Sequence, residues 1–364
     1  MNILTINAGS SSLKASLFFS DGTRQNYYYN HLDNTDLFSY NHSFVNLLKE
    51  LGSIKPDVVS HRFVHGGDIN GELCDSPRYI DEVERARLGD NKQLASLHMP
   101  LSLLGVDFCQ VNFNCPQIAF FDTSFHSTLP ELAYRLPIPK KFKLRRYGYH
   151  GINYSHIAHR LPKLLGDAAN GHIVVAHLGN GASLCLLKNL QSVDTTMGFS
   201  TAGGIPMSTR SGDLDPGVML ALAKQLKSNA LTELVYKKMG LHALSDGESS
   251  DMSELLESKT EGAKFAVDFF ALQVRAAIGS YAAKAGGIDG LVFTGGIGEN
   301  SSHVRTLICN DLGFLGFGLD STANKDHSAT LNTSGSKPIL IIPADEEAEI
   351  ARLTAALHTS IILK

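Results

Sequence analysis

The 364 residues are enough for about two domains, each with its own core. A formal charge of −4, from 32 basic and 36 acidic residues, leaves no basic field for nucleic acid, so a small-molecule ligand is the default. No apolar run approaches the ~20 residues of a membrane span, and the N-terminus enters a strand in place of a signal segment, so nothing in the sequence suggests export or lipid anchoring. Cys74, Cys109, Cys115, Cys185 and Cys309 are scattered and odd in number, with no Cys-x-x-Cys pair; they read as reduced thiols of a cytoplasmic protein.

The first stretch, residues 3–18, sets two apolar runs around the turn Asn7-Ala-Gly-Ser-Ser-Ser-Leu-Lys14, a β-hairpin with a hydrophilic tip. Gly9 lets backbone approach a ligand, Ser10 and Ser12 offer hydroxyls, Asn7 an amide and Lys14 a charge, which together suit a phosphate. Residues 20–45 read as further strand and loop, and Phe44 to Leu51 as a helix ending at Gly52. Asp57 to His65 reads as a strand. Arg62 inside it is either an anion ligand, because a buried cation needs an anion, or an edge-strand arginine reaching solvent. Residues 80–108 alternate helical patterning with the turn His98-Met99-Pro100. Gln117 to Phe121 then delivers Asp122 at a strand end, either a catalytic or metal-binding carboxylate or a helix N-cap.

Pro130, Pro137 and Pro139 mark residues 130–142 as an extended crossing between halves. The basic and aromatic cluster 145–151 leads into a helix from Asn153, interrupted or ended near Pro162. Residues 173–187 repeat the strand, small-residue turn, strand pattern through His177-Leu-Gly179-Asn180-Gly181-Ala-Ser183, with Ser183-Leu184 at the place of Ser12-Leu13. A flexible loop, 198–206, precedes Arg210, which is placed either for phosphate or to pair with Asp213. Asp215 as N-cap and Pro216 at the first helical position start a helix to about Lys238. Ser253 to Ala285 is helical and closes at Gly286-Gly287. A third strand ends in Gly295-Gly296-Ile297-Gly298-Glu299-Asn300. Three glycine-rich turns imply a polyanion held between two related halves, and none is a Walker A loop or a dinucleotide fingerprint. Ile339 to Ile342 is a buried strand ending in Asp345-Glu346-Glu347, carboxylates suited to Mg²⁺ beside phosphates, and a last helix follows from about Ala348.

These motifs resemble one family, the acetate and propionate kinases of the actin, Hsp70 and sugar-kinase superfamily. The resemblance runs through residues 7–14, 61–67, 121–126, 146–151, 177–183, 209–216 and 293–300. It implies an α/β fold of duplicated ribonuclease-H-like (actin-like ATPase) domains with mixed sheets and an interdomain cleft. Domain one would be 1–126 plus 348–364, and domain two, 127–347, would bind nucleotide and join a homodimer. The activity implied is reversible phosphoryl transfer from ATP to acetate, with Mg²⁺ and with Mn²⁺ able to substitute.

By the resemblance Arg62 and Arg210 would neutralise the acid and the moving phosphoryl group, His150 would hydrogen-bond that group, and Asn7, Asp122 and Glu346 would arrange the metal. Val64, Leu97, His98, Tyr149 and Thr201 would line the acid's pocket. Ser10, Ser12, Lys14, His177, Gly179, Asn180, Gly181, Gly295, Gly296, Ile297 and Asn300 would meet phosphate and nucleotide, with Asp251 near the adenosine. Tyr149 stands where the family has Phe, Thr201 where it has Pro, Asp345 where Asn precedes the glutamates, and Ser253 where Arg often lies over the nucleotide. These changes leave propionate as the alternative acid and pyrophosphate as an alternative donor. A nucleotide-gated binding protein of the actin type is the reading of another class; it would not need Arg62, His98, Asp122, His150 and Arg210 together.

Overall fold

In the computed structural model, residues 1–9, 12–30, 32, 37–69, 72–91 and 99–362 are described, so Ser10, Leu97 and His98 lie outside the described residues. Packing divides the chain into two units. The first comprises Met1–Ser127, Tyr149–His156 and Asp345–Lys364, and the second Thr128–Gly148 and Ile157–Ala344.

The first unit is built on β1 (Ile3–Ala8), β2 (Ser12–Phe18), β3 (Arg24–Asn30), β4 (Val58–Phe63), a short ribbon of β5 (Asp68–Ile69) and β6 (Glu72–Leu73), β7 (Arg78–Tyr79) and β8 (Gln117–Phe121). Its main sheet runs β3-β2-β1-β4-β8-β7. β1, β2 and β3 form an antiparallel meander, and β4 and β8 extend it in parallel from β1. Because side chains alternate along a strand, Leu4, Ile6, Leu13, Ala15, Leu17 and Val59 fall on one face. They form a core with Tyr40, Phe44 and Leu47 of the helix Leu37–Leu51 and Leu101 of the helix Met99–Asn112. Burying each leucine, isoleucine, valine or phenylalanine of this core stabilises the unit by about 1.5–3 kcal/mol. The opposite face packs Ile3, Val58, Ile118 and Phe120 against Ile350 and Ala351 of the C-terminal helix, Glu346–Ile362.

The second unit carries β9 (Ile173–Leu178), β10 (Ala182–Lys188), β11 (Gln191–Thr195), β12 (Gly290–Thr294) and β13 (Ile339–Ile341), in the order β11-β10-β9-β12-β13. The meander is again antiparallel, and β12 and β13 are again parallel to β9. The same order and orientations as β3-β2-β1-β4-β8 make this a duplicated ribonuclease-H-like fold with mixed sheets. The repeat is not register-perfect. Ala8 faces Leu13 and Asn7 faces Lys14, whereas Leu178 faces Ala182 and His177 faces Ser183. The second turn is one residue shorter, so Ser183 occupies the place of Lys14 and not that of Ser12.

Several boundaries depart from expectation. The first helix starts at Leu37, seven residues before Phe44, because Tyr40 is fully buried one turn ahead of Phe44. Pro162 lies inside the helix Gly151–Leu165, which buried Tyr154, Ile157 and Leu161 hold together. Residues 130–142 are not extended throughout but include short turns of helix at Glu131–Tyr134 and Lys140–Phe142. Asp215 does cap a helix with Pro216 at its first position, but that helix ends at Gln225 and a second runs Ser228–Lys237. The expected helix from Ser253 is two: Met252–Glu257 capped by Asp251, then Glu261–Ala285 capped by Thr260 and closed by left-handed Gly286. The Ser258 and Thr260 hydroxyls compete for backbone at the break.

Candidate active site

In the first unit, Asn7, Arg62 and Asp122 stand at the C-terminal ends of the three parallel strands, on the face that β1, β4 and β8 turn toward the C-terminal helix. That face grades from apolar (Ile3, Val58, Ile118) through hydroxylic (Thr5, Ser60) to charged, and Ser60 meets Thr354 at 2.8 Å midway. Strand ends of this kind are where open α/β sheets hold ligands. Arg62 grips Asp122 with two nitrogens, Nη2 to Oδ2 at 2.7 Å and Nε to Oδ1 at 3.3 Å. Its Nη1 donates to Asn7 Oδ1 at 3.0 Å and lies 3.2 Å from Glu346 Oε2. Asn7 Nδ2 donates in turn to Glu346 at 3.0 Å and Glu347 at 2.9 Å.

The alternative of Arg62 as an edge arginine is not what the structure has, since β4 is central in the sheet and the side chain is ion-paired to Asp122 and Glu346. Burial works against the Arg62 charge, but Asp122, Glu346 and Glu347 outweigh it and hold the guanidinium above its ordinary range. For Asp122, burial pushes the carboxyl up, Arg62 pulls it down and Glu346 pushes again, for a net rise to about 6. Asp122, Glu346 and the Asn7 amide oxygen are hard oxygen donors of the kind Mg²⁺ takes. Among the described residues no three His, Cys, Asp or Glu side chains are gathered to hold a metal ion.

Asp122 also accepts the backbone N–H of Ile152, in the first turn of the helix Gly151–Leu165. The fit is tight, since a Cβ on Gly151 would come within 1.9 Å of the Asp122 carbonyl oxygen. His150, just before it, has φ of 58°, a left-handed conformation that costs energy in a residue with a Cβ. Its carbonyl accepts Tyr154 N at 3.0 Å, and His126 Nε2 binds the carbonyl of Tyr149 at 3.0 Å. Tyr149 is fully buried and meets the His65 ring edge to face at 6.0 Å; Val64 is buried as well. The Gly67 N–H donates to His65 Nδ1 at 2.8 Å, which places the neutral imidazole proton on Nε2. Lys14 is exposed beside Asn7 across the β1–β2 pair. The carbonyl of Ser12 closes the hairpin turn by accepting Gly9 N at 2.8 Å.

In the second unit, His177, Ser183 and Thr294 form one row across β10, β9 and β12. The turns beyond that row adjoin, a Cβ on Gly179 lying 3.4 Å from Gly181 O and 3.9 Å from Gly296 N. Gly295 has φ of 79°, and a Cβ there would come within 2.8 Å of Leu178 O. Glu299 Oε1 accepts both Gly295 N at 2.7 Å and Ala344 N at 2.9 Å, so it ties this turn to the chain after β13. Asn300 Nδ2 donates back to Gly296 O. Asn180 meets Ser208 through backbone and side chain. The geometry thus gathers His177, Gly179, Asn180, Gly181, Gly295, Gly296 and Ile297, and Asp251 caps the helix Met252–Glu257, its Oδ1 accepting the N–H groups of Ser253 and Glu254.

Arg210 donates through Nη1 to the Thr201 carbonyl at 2.7 Å, and burial pushes its pKa down to about 10. It makes no ion pair with Asp213, whose Oδ1 accepts Gly204 N at 2.8 Å. Left-handed Gly240, with φ of 65°, lets the backbone pack directly on Met207 O and Arg210 N. The neighbouring Arg146 is structural: its Nη1 binds the carbonyls of Thr195 and Thr196 at 2.8 and 2.9 Å.

Sequence reasoning did not single out Glu347, Glu299, Gly151 or Gly240 individually. For Gly151 the signal was an unexplained glycine at a helix start; the other three depend on tertiary neighbours.

A family model described as the acetokinase family matches residues 39–352. An acetate kinase of Nitrobacter hamburgensis is 38% identical, the match covering 98% of this chain and 96% of that one; one of Acetivibrio thermocellus is 36% identical over 98% and 99%. Among solved structures, an acetate kinase from Entamoeba histolytica matches with a TM-score of 0.84 at 30% identity, covering 98% of this chain and 99% of that one. A propionate kinase from Francisella tularensis matches at 0.83 and 30%, covering 97% and 98%.

Proposed function

The chain belongs to the acetokinase family, and on that footing we propose that it transfers the γ-phosphoryl group of ATP to acetate, reversibly and by direct in-line displacement, giving acetyl phosphate and ADP. The observation that carries the reading is Arg210, a half-buried guanidinium with no carboxylate partner among the described residues. A cation in that state is stabilised by an anionic ligand, and a carboxylate acid with its incoming phosphoryl group is such a ligand.

Acetate is already ionised at neutral pH, so no base is needed to activate it, and catalysis rests on alignment and charge neutralisation. Arg210 and Arg62 would share the charge of the acid and of the phosphoryl group, and His150 would donate a hydrogen bond to that group. Val64 and Tyr149, with Thr201, Leu97 and His98, would bound the methyl group. The turn residues Gly179 to Gly181 and Gly295 to Ile297, with His177 and Asn300, would hold the nucleotide phosphates through backbone N–H groups, as glycine-rich turns at strand ends do; Ser10, Ser12 and Lys14 would add their groups on the acid side. A divalent cation, Mg²⁺ by preference and Mn²⁺ as substitute, would neutralise the ATP phosphates. Asn7, Asp122 and Glu346 would hold it directly or through water, which frees Arg62 from the same oxygens for substrate. The working form would be a cytoplasmic homodimer joined through the second unit.

Hydroxamate trapping of acetyl phosphate with Mg-ATP, acetate against propionate, tests the reading. A higher kcat/KM for acetate supports it, a higher value for propionate changes the acid, and no turnover with either acid overturns it.

A further inference from the structure

We propose that Arg24 is a positioning residue for the acidic start of the C-terminal helix, and through it for Glu346; the inference rests on the role given to Glu346 above. Arg24 opens β3, and its guanidinium has several partners. It lies 4.8 Å from the Phe18 ring centroid, donates to Asn26 Oδ1 at 2.5 Å, and donates to Ser16 Oγ at 3.1 Å. From that seat Nη1 reaches Asp345 Oδ2 at 2.6 Å, and Nη2 lies 4.0 Å from Glu347 Oε2.

Asp345 links this anchor to the helix. One carboxylate oxygen takes Arg24 while the other accepts the N–H of Ala348 at 3.0 Å, and its carbonyl accepts the N–H of Glu349 at 3.1 Å. The first turn of a helix is where an acidic side chain can satisfy free N–H groups. Here that cap is itself held by a cation from the sheet. The next two residues are the acids that Asn7 binds, and Glu346 alone of the two also meets Arg62. Asp122 and Glu346 lie close enough for their like charges to repel, and Asp345 and Glu347 flank Glu346 at the helix start. Arg62 offsets this on the substrate side and Arg24 on the far side. Without Arg24 the helix start would be free to turn or retreat, and Glu346 would lose its place beside Arg62 and Asn7.

The test uses the full chain carrying Arg24→Gln, Arg24→Lys, Glu346→Gln, and Arg24→Gln with Glu346→Gln. Two readouts are taken: Mn²⁺ binding in the presence of ADP by electron paramagnetic resonance, and kcat and KM for acetate. Residues that orient a ligand-holding group typically change affinity or activity by about 10–100-fold. Arg24→Gln should therefore weaken Mn²⁺ about tenfold and lower kcat by a similar factor, with KM for acetate within about twofold. Arg24→Lys should recover most of both. The double variant should be no worse than Glu346→Gln alone, because coupled residues do not add. Unchanged Mn²⁺ affinity in Arg24→Gln, or losses that multiply in the double variant, overturns the proposal. Full turnover and Mn²⁺ affinity in Glu346→Gln would instead remove the role given to Glu346, and with it the basis of the proposal. If Arg24→Gln fails to fold by circular dichroism, Asp345→Asn carries the test. An amide has one oxygen for the cap and turns its NH2 group toward Arg24, which removes both the charge and the acceptor there, so the same tenfold weakening is expected, and wild-type affinity overturns the proposal.

Discussion

Two arginines of one sequence type are in opposite states. Arg62 is surrounded by Asp122, Glu346 and Asn7, whereas Arg210 donates to the Thr201 carbonyl and has no carboxylate partner among the described residues. An arginine that stabilises a transferring phosphoryl group can be worth ~10³ in rate. Arg210→Ala should therefore lower kcat/KM for acetate by about that factor while ADP still raises the melting temperature; turnover within tenfold of wild type would remove Arg210 from the reaction. Asp122 carries a pH prediction. Its carboxyl, raised to about 6 chiefly by burial, must ionise to pair with Arg62 and to serve a cation. Activity should thus fall as pH drops through about 6, which a kcat/KM profile between pH 5 and 8 reads directly; a flat profile to pH 5 contradicts it.

Strands and helices add their own liabilities. β4 carries Arg62 on one face and His61 on the other. His61 is buried, with Nε2 2.7 Å from Gln117 Oε1, and burial pushes it down to about 4; His65, just past the strand, is pushed down likewise. In the unfolded chain both would protonate near 6.5. The folded state therefore has its full stability above that pH and loses it as pH falls toward 4, by on the order of 3 kcal/mol for each histidine. Urea midpoints measured from pH 7 to 4 should drop steeply, and His61→Gln, which cannot titrate, should flatten part of that slope. At the helix start, Gly151→Ala places a methyl group 1.9 Å from Asp122 O. It should lower both melting temperature and turnover, and a variant with wild-type values for both would contradict this packing.

At the scale of the molecule, the second unit leaves several large apolar side chains exposed. Phe265 and Leu272, on the helix Glu261–Ala285, are 56% and 49% exposed, and Phe265 meets the Phe269 ring with centroids 5.9 Å apart. Exposed apolar faces of this kind are used in association. Light scattering should return a homodimer mass for the wild type, and Phe265→Glu with Leu272→Glu should shift it to monomer. A wild-type monomer at micromolar concentration would exclude the dimer reading.

The duplication of strand, small-residue turn and strand was legible because a glycine-rich tip between two apolar runs is a local pattern, and the motifs at residues 7–14, 177–183 and 293–300 each lie within one turn. The helix starts at Leu37 and Glu346 were not, since Tyr40 and the Asp345 cap matter only through packing partners. The roles of alternating residues were likewise hidden. That Asn7, Arg62 and Asp122 share one face depends on the register of β1, β4 and β8, which joins residues far apart in the chain. By itself the sequence determined the chemistry on offer, two arginines, a set of carboxylates and three glycine turns, because side-chain identity and local turn propensity are local properties. Only the tertiary structure decided which arginine is already paired, which carboxylates press on one another and which glycines have no room for a Cβ, because desolvation and close approach are set by neighbours distant in the chain.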